Sequence, residues 1–253
     1  MGFDVAADAY GRFMGRYSEP LAEQFAEALD IPSGARALDV GCGPGALTAL
    51  LVARLGTDAV AAVDPSASFV AAARERFPGL RVDVAGAESL PFADDAVDVT
   101  VAQLVVPFLR DPVAGLTELA RVTRPGGTVA ASVWDHAGGG GPLEAFWSVV
   151  RDLDPTAPDE STDAGTREGH LGELFRAAGL ADVTLWSETV RVRHATFDDW
   201  WEPYTLGVGP AGAYVAGLDD AEREALRALC AERMPAAPFD VTALAWCARG
   251  SAR

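Results

Sequence analysis

Apolar and polar positions along this chain switch repeatedly between a period of two and a period near 3.6, the marks of strands alternating with helices. Leu38 and Val40, set beside turn residues, mark a first short strand. Residues 59–63 are a nearly continuous apolar run, as expected of a strand buried on both faces. Further strands are predicted at 80–84, from the acidic turn Asp94-Asp95 to Gln103, and at 128–133, 183–192 and 241–248. Helical periods fall between them, at about 46–55, 68–77, 113–122, 142–153 and 170–178. Gly56, Pro78-Gly79 and Gly179 supply stops, and Asp111-Pro112 supplies a start. Strand–helix alternation of this kind predicts a doubly wound α/β sheet.

Two regions stand outside that rhythm. Near the start, Tyr10, Phe13, Met14 and Tyr17 follow the spacing i, i+3, i+4, i+7 of one helix face. Gly11 and Gly15 weaken that helix by about 1 kcal/mol each relative to alanine, so it reads as a mobile lid or as plain packing. A second helix is expected over 20–29. Late in the chain, residues 196–240 form an insertion holding Phe197, Trp200, Trp201 and Tyr204 and a helix near 219–233. It reads as a helical cap over a pocket, as a homodimer interface or as decoration. Residues 154–168, rich in Pro, Thr and Asp, read as a flexible surface segment.

The chemistry centres on Asp39-Val40-Gly41-Cys42-Gly43-Pro44-Gly45. Glycine at every second position lets the loop adopt positive φ and lets a ligand approach the backbone. The helix after it aims its N-terminal N–H groups and dipole at that ligand. Two ligands suit such a loop. Gly41, Gly43 and Ala46 fit the dinucleotide fingerprint G-x-G-x-x-G/A, with Asp64 beyond the second strand for a ribose. That makes an NAD(P)-dependent oxidoreductase one reading. A pyrophosphate, however, would be repelled by Asp39, whereas a ligand carrying an ammonium and a sulfonium would not.

The same seven residues resemble the D-x-G-x-G-x-G loop of class I methyltransferases that use S-adenosylmethionine (SAM). Asp64-Pro65-Ser66, Ala87-Glu88-Ser89-Leu90-Pro91-Phe92 and Arg124-Pro125-Gly126-Gly127 follow in the order and spacing of that family. The chain therefore resembles a class I SAM-dependent methyltransferase of the UbiE/Coq5-like small-molecule type, most strongly over residues 36–134. The looser Tyr10-x-Arg12-Phe13-Met14-Gly15-Arg16-Tyr17 resembles the opening of related bacterial enzymes.

The resemblance implies a Rossmann-like α/β fold: a doubly wound, seven-stranded, mainly parallel sheet with one antiparallel strand near an edge. To this the chain adds the helical cap insertion, where that architecture usually has a tight hairpin between the last two strands. One domain is expected, with an N-terminal helical lid at 1–35, a SAM-binding core at 36–195, the insertion at 196–240 and a last strand and tail at 241–253. The cofactor would be SAM, leaving S-adenosylhomocysteine (SAH). Its binding residues would be Asp39 at the methionine end, Gly41, Cys42 and Gly43 in the loop, Asp64, Pro65 and Ser66 at the ribose, Ala87 and Glu88 at the adenine, and Gln103 beside the sulfonium. Gly86 stands where the family pattern has Asp, which leaves Glu88 as the nearest carboxylate for the adenine amine. The implied reaction is methyl transfer to a small organic acceptor; a SAM- or SAH-binding protein without that activity is the other reading.

A phenol, thiol or carbon acid needs a base. His136, after the fifth strand at the expected pocket mouth, is the first candidate, with Asp135 orienting it or acting alone. His194, between Arg193 and the insertion, reads as an exposed strand residue. Trp134, Phe146, Trp147, Trp200 and Tyr204 are expected in the core; if several line a cavity, the acceptor is aromatic or apolar.

Composition narrows the partners. A net charge of −17 argues against a nucleic-acid substrate and against docking on an anionic membrane. No apolar run reaches the eighteen residues of a membrane span. The first ten residues carry Asp4 and Asp8 and lack a basic or apolar leader, so a cytoplasmic location is expected. Three cysteines and three histidines, widely spaced, offer neither a disulfide framework nor a metal site.

Overall fold

Leu38 and Val40 point to one side of their strand and Ala37 and Asp39 to the other, and all four are buried. Such a strand has to be covered on both faces, and the fold is arranged around it. The computed structural model describes residues 7–158 and 160–253. The leader expectation and the start of the proposed lid therefore fall partly on residues 1–6, outside the described residues.

The chain opens with α1 (Ala7–Tyr10), runs through a π-helical turn at Gly11–Gly15 and continues as α2 (Arg16–Ala28). Then come β1 (Ala37–Val40), α3 (Ala46–Leu55), β2 (Val60–Asp64), α4 (Ala67–Arg76), β3 (Arg81–Val84) and β4 (Val97–Gln103). α5 (Pro112–Val122), β5 (Thr123–Trp134), α6 (Glu144–Leu153), α7 (His170–Ala177) and β6 (Ala181–His194) follow. The insertion supplies α8 (Phe197–Trp201), α9 (Gly209–Gly217) and α10 (Asp220–Arg233), and β7 (Phe239–Ser251) ends the sheet.

The seven strands are ordered β3-β2-β1-β4-β5-β7-β6. Pairings from β3 through β5 are parallel, and β7 runs antiparallel between β5 and β6. This is the doubly wound, mainly parallel sheet that the alternation predicts. Phe25, Leu47, Leu51 and Val70 pack on one face against Ala37, Val60, Ala62 and Val101. Leu116, Leu119, Leu171 and Phe175 pack on the other, against Leu38, Val40 and Val63. The strand order reverses between β1 and β4, and ligands bind at such a switch point, beyond the carboxyl ends of the strands.

Several local expectations are corrected. The two N-terminal helices form one continuous helical segment, with Pro20 carried inside α2. The wide turn at Gly11–Gly15 accommodates the join. His194 is not exposed but 2% accessible, because α2 lies over the end of β6. Its Nε2 lies 3.0 Å from the Tyr17 hydroxyl. Burial, reinforced by Arg16, holds its pKa below the ordinary value. Beside it, Arg16 donates to both carboxylate oxygens of Asp199, at 2.9 and 3.1 Å, tying α2 to the insertion. Segment 154–168 is not a free surface loop: Thr166 is buried and its hydroxyl donates to the Ser161 and Asp163 carbonyls.

The insertion builds its own core against α6 and the N-terminal segment. Phe146 stacks on Tyr204 at 4.5 Å, and Phe13 meets the same ring edge-on at 4.8 Å. α10 starts with a full capping box between Asp219 and Glu222. No helix among the described residues is long and apolar enough to cross a membrane. The three cysteines are free and buried.

Two places in the sheet generate direct tests. Val97 pairs with Thr123 and Val99 with Thr128, so residues 124–127 bulge out of β5 rather than forming a separate turn before it. Asp98 fastens the bulge by accepting from the Arg36 N–H at 2.7 Å and from Arg124 Nε at 2.6 Å. Those donors hold its carboxyl below the usual range. A Cβ on Gly127 would lie 2.6 Å from the Asp98 carbonyl oxygen. Gly127→Ala is therefore expected to lower unfolding stability by about 1–3 kcal/mol in urea titrations.

Asp39, 1% exposed, accepts the Thr48 hydroxyl at 2.6 Å and so stitches β1 to α3. Burial, opposed by that bond, pushes its pKa up to about 7. The folded state thus keeps a proton that the unfolded chain releases at an ordinary carboxylate pKa. The stability gained is complete below that ordinary value and is lost as the pH rises towards 7. Relative to Asp39→Asn, the wild-type protein is expected to lose stability as the pH is raised from about 4 to 7, by up to a few kcal/mol. Parallel pH–denaturation curves for the two proteins would refute this.

Candidate active site

The loop after β1 is held from beneath by β2. The N–H groups of Gly41 and Cys42 both donate to the Val63 carbonyl, at 2.8 and 3.0 Å. Asp64, at the end of β2 and 6% exposed, completes the grip. Its Oδ2 accepts the Gly43 N–H at 2.8 Å and its Oδ1 accepts the Ser66 N–H at 2.8 Å. Burial raises its pKa, and the two N–H donors oppose that rise. Gly41 has φ +70°, and a Cβ there would lie 2.4 Å from Val105. At Gly43, φ +53°, a Cβ would meet nothing within 4 Å, so this glycine leaves open space above the loop.

That space belongs to a cavity of about 490 Å³. Gly41, Gly43, Asp64, Pro65, Ser66 and Phe69 line it from the ends of β1 and β2 and the start of α4. Much of the remaining lining is apolar: Phe13 and Met14 come from the N-terminal segment, Trp134 from β5, Leu143 from the turn before α6, and Val208 and Ala211 from the insertion. Gln103, Leu104, Val105 and His136, from the ends of β4 and β5, line it as well. Gln103 Nε2 donates to the Ser18 carbonyl at 2.8 Å, which fixes the amide and ties the cavity floor to α2. Its Oε1, with Ser18 Oγ, Ser132 Oγ and Trp134 Nε1, is buried with no hydrogen-bond partner among the described residues.

The expected site residues divide into two groups. Gly41, Gly43, Asp64, Pro65, Ser66, Gln103 and His136 share the cavity. Asp39 does not: it lies beneath the loop, on Thr48, rather than at its mouth. Cys42 is 7% exposed with Sγ directed to the Gly43 carbonyl, and burial pushes its thiol up. Ala87 is packed in the core on the α5 side, where Gly115 approaches it. Glu88 is exposed and accepts the Arg110 N–H at 3.0 Å. A Cβ on Gly86 would lie 3.5 Å from Glu88 Oε2, so this carboxylate does come near the place of the missing Asp, outside the cavity wall.

Asp135 is also directed elsewhere. Its Oδ1 accepts the Gly138 N–H and the Trp246 indole N–H, each at 2.9 Å. It braces the glycine loop 138–141 against β7 instead of facing the cavity. His136 lies on the other side of that loop, against Gly141, where a Cβ would lie 2.6 Å from Nδ1. Phe146, Trp147, Trp200 and Tyr204 are in the insertion core and only Trp134 of that aromatic set reaches the cavity.

Sequence reasoning missed Glu160 and Asp163, which line the cavity from the segment after α6. Glu160 Oε2 takes the Trp147 indole N–H at 2.6 Å. A polar, aperiodic stretch carries no signal for such a role. It also missed Val208, the N-cap of α9, and Gly209 and Pro210, the first residues of that helix, which line the cavity.

The residues present suit SAM. Gly43 leaves the backbone open to a ligand, Asp64 offers carboxylate lone pairs beyond those its two N–H donors occupy, and the cavity-lining Gln103 has a buried acceptor oxygen with no partner among the described residues. Comparison with known proteins agrees. The family described as "Methyltransferase domain" matches residues 38–131. A trans-aconitate 2-methyltransferase of Sinorhizobium medicae is 30% identical over 211 residues, covering 83% of this chain and 76% of that protein. One from Methylobacterium nodulans is 35% identical over 133 residues, 53% of this chain; the match spans only about half, 51%, of that relative's length. Among solved structures, a SAM-dependent methyltransferase from Thermotoga maritima, described as a possible histamine N-methyltransferase, superposes with TM-score 0.57 at 18% identity, covering 97% of this chain and 99% of that one. With this fold, this loop and these relatives, the chain belongs to the class I SAM-dependent small-molecule methyltransferases.

Proposed function

We propose that the protein transfers the methyl group of SAM to a small organic acceptor held in the apolar end of the cavity. The observation that carries this is the continuity of one space from the Gly41–Asp64 end to Phe13, Met14, Trp134 and Leu143. A cofactor at one end and an acceptor at the other would then meet beside Gln103 and His136. SAM supplies an electrophilic methyl on a sulfonium. The chain's own part is to bind, orient and exclude water.

In this reading Asp64 accepts from ribose hydroxyls while it keeps the Gly43 and Ser66 N–H groups in place. Gly41 and Gly43 let the cofactor approach the loop, and Pro65 and Ser66 flank it. Gln103 Oε1 accepts from the α-ammonium. The helix α3 behind the loop adds its N-terminal dipole. The acceptor's lone pair forms the new bond to the methyl carbon as the S–CH₃ bond breaks and its electrons return to sulfur. A protic acceptor gives its proton to His136, the one imidazole lining the cavity among the described residues. The roles of Asp39 and Cys42 are indirect here, as supports of the loop, and Asp135 supports the segment that carries His136.

The acceptor class is drawn from the lining, which favours an aromatic or apolar molecule.

Calorimetric titration with SAH tests the cofactor. Saturable binding is expected, weakened at least about tenfold in Asp64→Ala. His136→Asn is expected to leave SAH binding unchanged and to slow methylation of a protic acceptor by about 10²–10⁴-fold. No SAH binding by the folded wild-type protein would overturn the proposal.

A further inference from the structure

Four glycines in succession, residues 138–141, follow closely on His136. Of the four, only Gly139 uses the left-handed backbone region, at φ +74°. The other three are required by space. A Cβ on Gly138 would overlap the Asp135 carboxylate, one on Gly140 would lie 2.7 Å from Asp135 Oδ2, and one on Gly141 would lie 2.6 Å from His136 Nδ1. The loop thus closes on two side chains: the Asp135 carboxylate at residues 138 and 140, and the His136 ring at residue 141.

The same loop is pinned to the sheet. The Asp135 N–H donates to the Leu244 carbonyl at 2.9 Å and the Leu244 N–H donates to the Gly140 carbonyl at 2.8 Å, so β7 holds it at two points. The Gly140 N–H returns to the Asp135 carbonyl at 2.9 Å, and the Ala137 N–H donates to the Thr166 carbonyl at 3.3 Å. Asp135 Oδ1 joins loop and sheet by accepting the Gly138 N–H and the Trp246 indole N–H together, each at 2.9 Å. Trp246 stands on β7 opposite Val133, so the sheet register sets its place. Removing the carboxylate would leave both of those donors without it, and removing the indole would free one oxygen of its fastening.

We propose that Asp135, Trp246 and Gly141 are positioning residues for His136: Trp246 fixes Asp135, Asp135 fixes the glycine loop, and the loop fixes where the imidazole stands on the cavity wall. This rests on the methyltransferase reading above, in which His136 takes the proton of a protic acceptor. His136 lines the cavity and the other three do not, so they act on the reaction through it. A base has to lie within hydrogen-bond reach of the proton that it takes, and a displacement of about 1 Å costs up to about 10²-fold in rate. A methyl group at residue 141 forces such a displacement, because the imidazole is the freer of the two groups that would collide.

The test reads the imidazole ring resonances of the full-length protein by nuclear magnetic resonance. The chain has three histidines, and His136→Asn identifies the signal that belongs to His136. In Trp246→Phe, Asp135→Ala and Gly141→Ala that signal is expected to move by more than its linewidth, while the signal of His194, beside Tyr17, stays in place. Asp135→Asn keeps an accepting oxygen for both N–H groups and is expected to hold the His136 signal near its wild-type position. A His136 signal unmoved in both Trp246→Phe and Gly141→Ala overturns the proposal, as does movement of His194 along with it, which would mark a general disturbance of the fold. If the variants at 135 and 141 do not fold, Trp246→Phe, at a half-buried ring, decides. With SAM and a naphthol as phenolic probe, Trp246→Phe and Gly141→Ala are expected to lower kcat by about tenfold or more while SAH affinity stays within about twofold. An unchanged kcat overturns the role in the reaction. A wild type that binds no SAH, or does not methylate the naphthol, is a failure of the methyltransferase or acceptor reading, and the ring signals of the unliganded protein still decide the positioning.

Discussion

Asp64 holds two backbone N–H groups at once, and much of the site depends on that grip. With Gly43 on one oxygen and Ser66 on the other, it joins the loop after β1 to the start of α4. The Val63 carbonyl fixes the preceding two residues of the same loop. Two parallel strands thus end in one rigid edge. A carboxylate serving this way is costly to bury alone, and its two donors offset that cost. The same residue faces the cavity, so the group that shapes the loop is also the one best placed to meet a ligand.

The opposite half of the cavity is assembled from pieces with little in common along the chain. The N-terminal segment gives Phe13 and Met14, β5 gives Trp134, and the turn before α9 gives Val208. What keeps them together is the packing outside the cavity. Phe146 stacks on Tyr204 and Phe13 meets the same ring edge-on, while Arg16 and Tyr17 of α2 bind Asp199 of the insertion and His194 at the end of β6. The insertion is therefore part of the enclosure. One half of the lining comes from the strand ends of the Rossmann-like sheet, and the other from the N-terminal segment, the turn before α6 and the insertion.

Charge completes the picture. A protein at −17 with no lysine has few cations, and Arg16, Arg151, Arg167 and Arg233 are each paired with a carboxylate. Surface pairs of this sort contribute little stability individually. Among the described residues no arginine lines the cavity.

The order of strands and helices, the glycine loop after Leu38 and Val40, and the place of Asp64 beyond the second strand were all legible in the sequence. Periodicity reports which side of an element is apolar, and glycine spacing reports where the backbone has to bend; both are local properties of the chain. Which element covers a given face is not local. His194 reads as exposed after Arg191 and Arg193 and is buried under α2, where it meets Tyr17. Asp135 reads as a partner for His136 and turns instead to Gly138 and Trp246, 111 residues away. Asp39 reads as the mouth of the loop and lies under it, because parallel β1 is covered on both faces and its side chain meets Thr48 of α3. Segment 154–168 reads as loose surface and closes one side of the cavity through Glu160 and Asp163. The sequence by itself determined the sheet and the place on the cavity of Gly41, Gly43 and Asp64, which lie within a few positions of the strand ends; it did not tell that Asp39, Cys42, Ala87 and Glu88 lie outside it. The tertiary structure decided the apolar lining, because residues such as Phe13, Leu143 and Val208 are brought together by packing between elements that no single stretch of sequence describes.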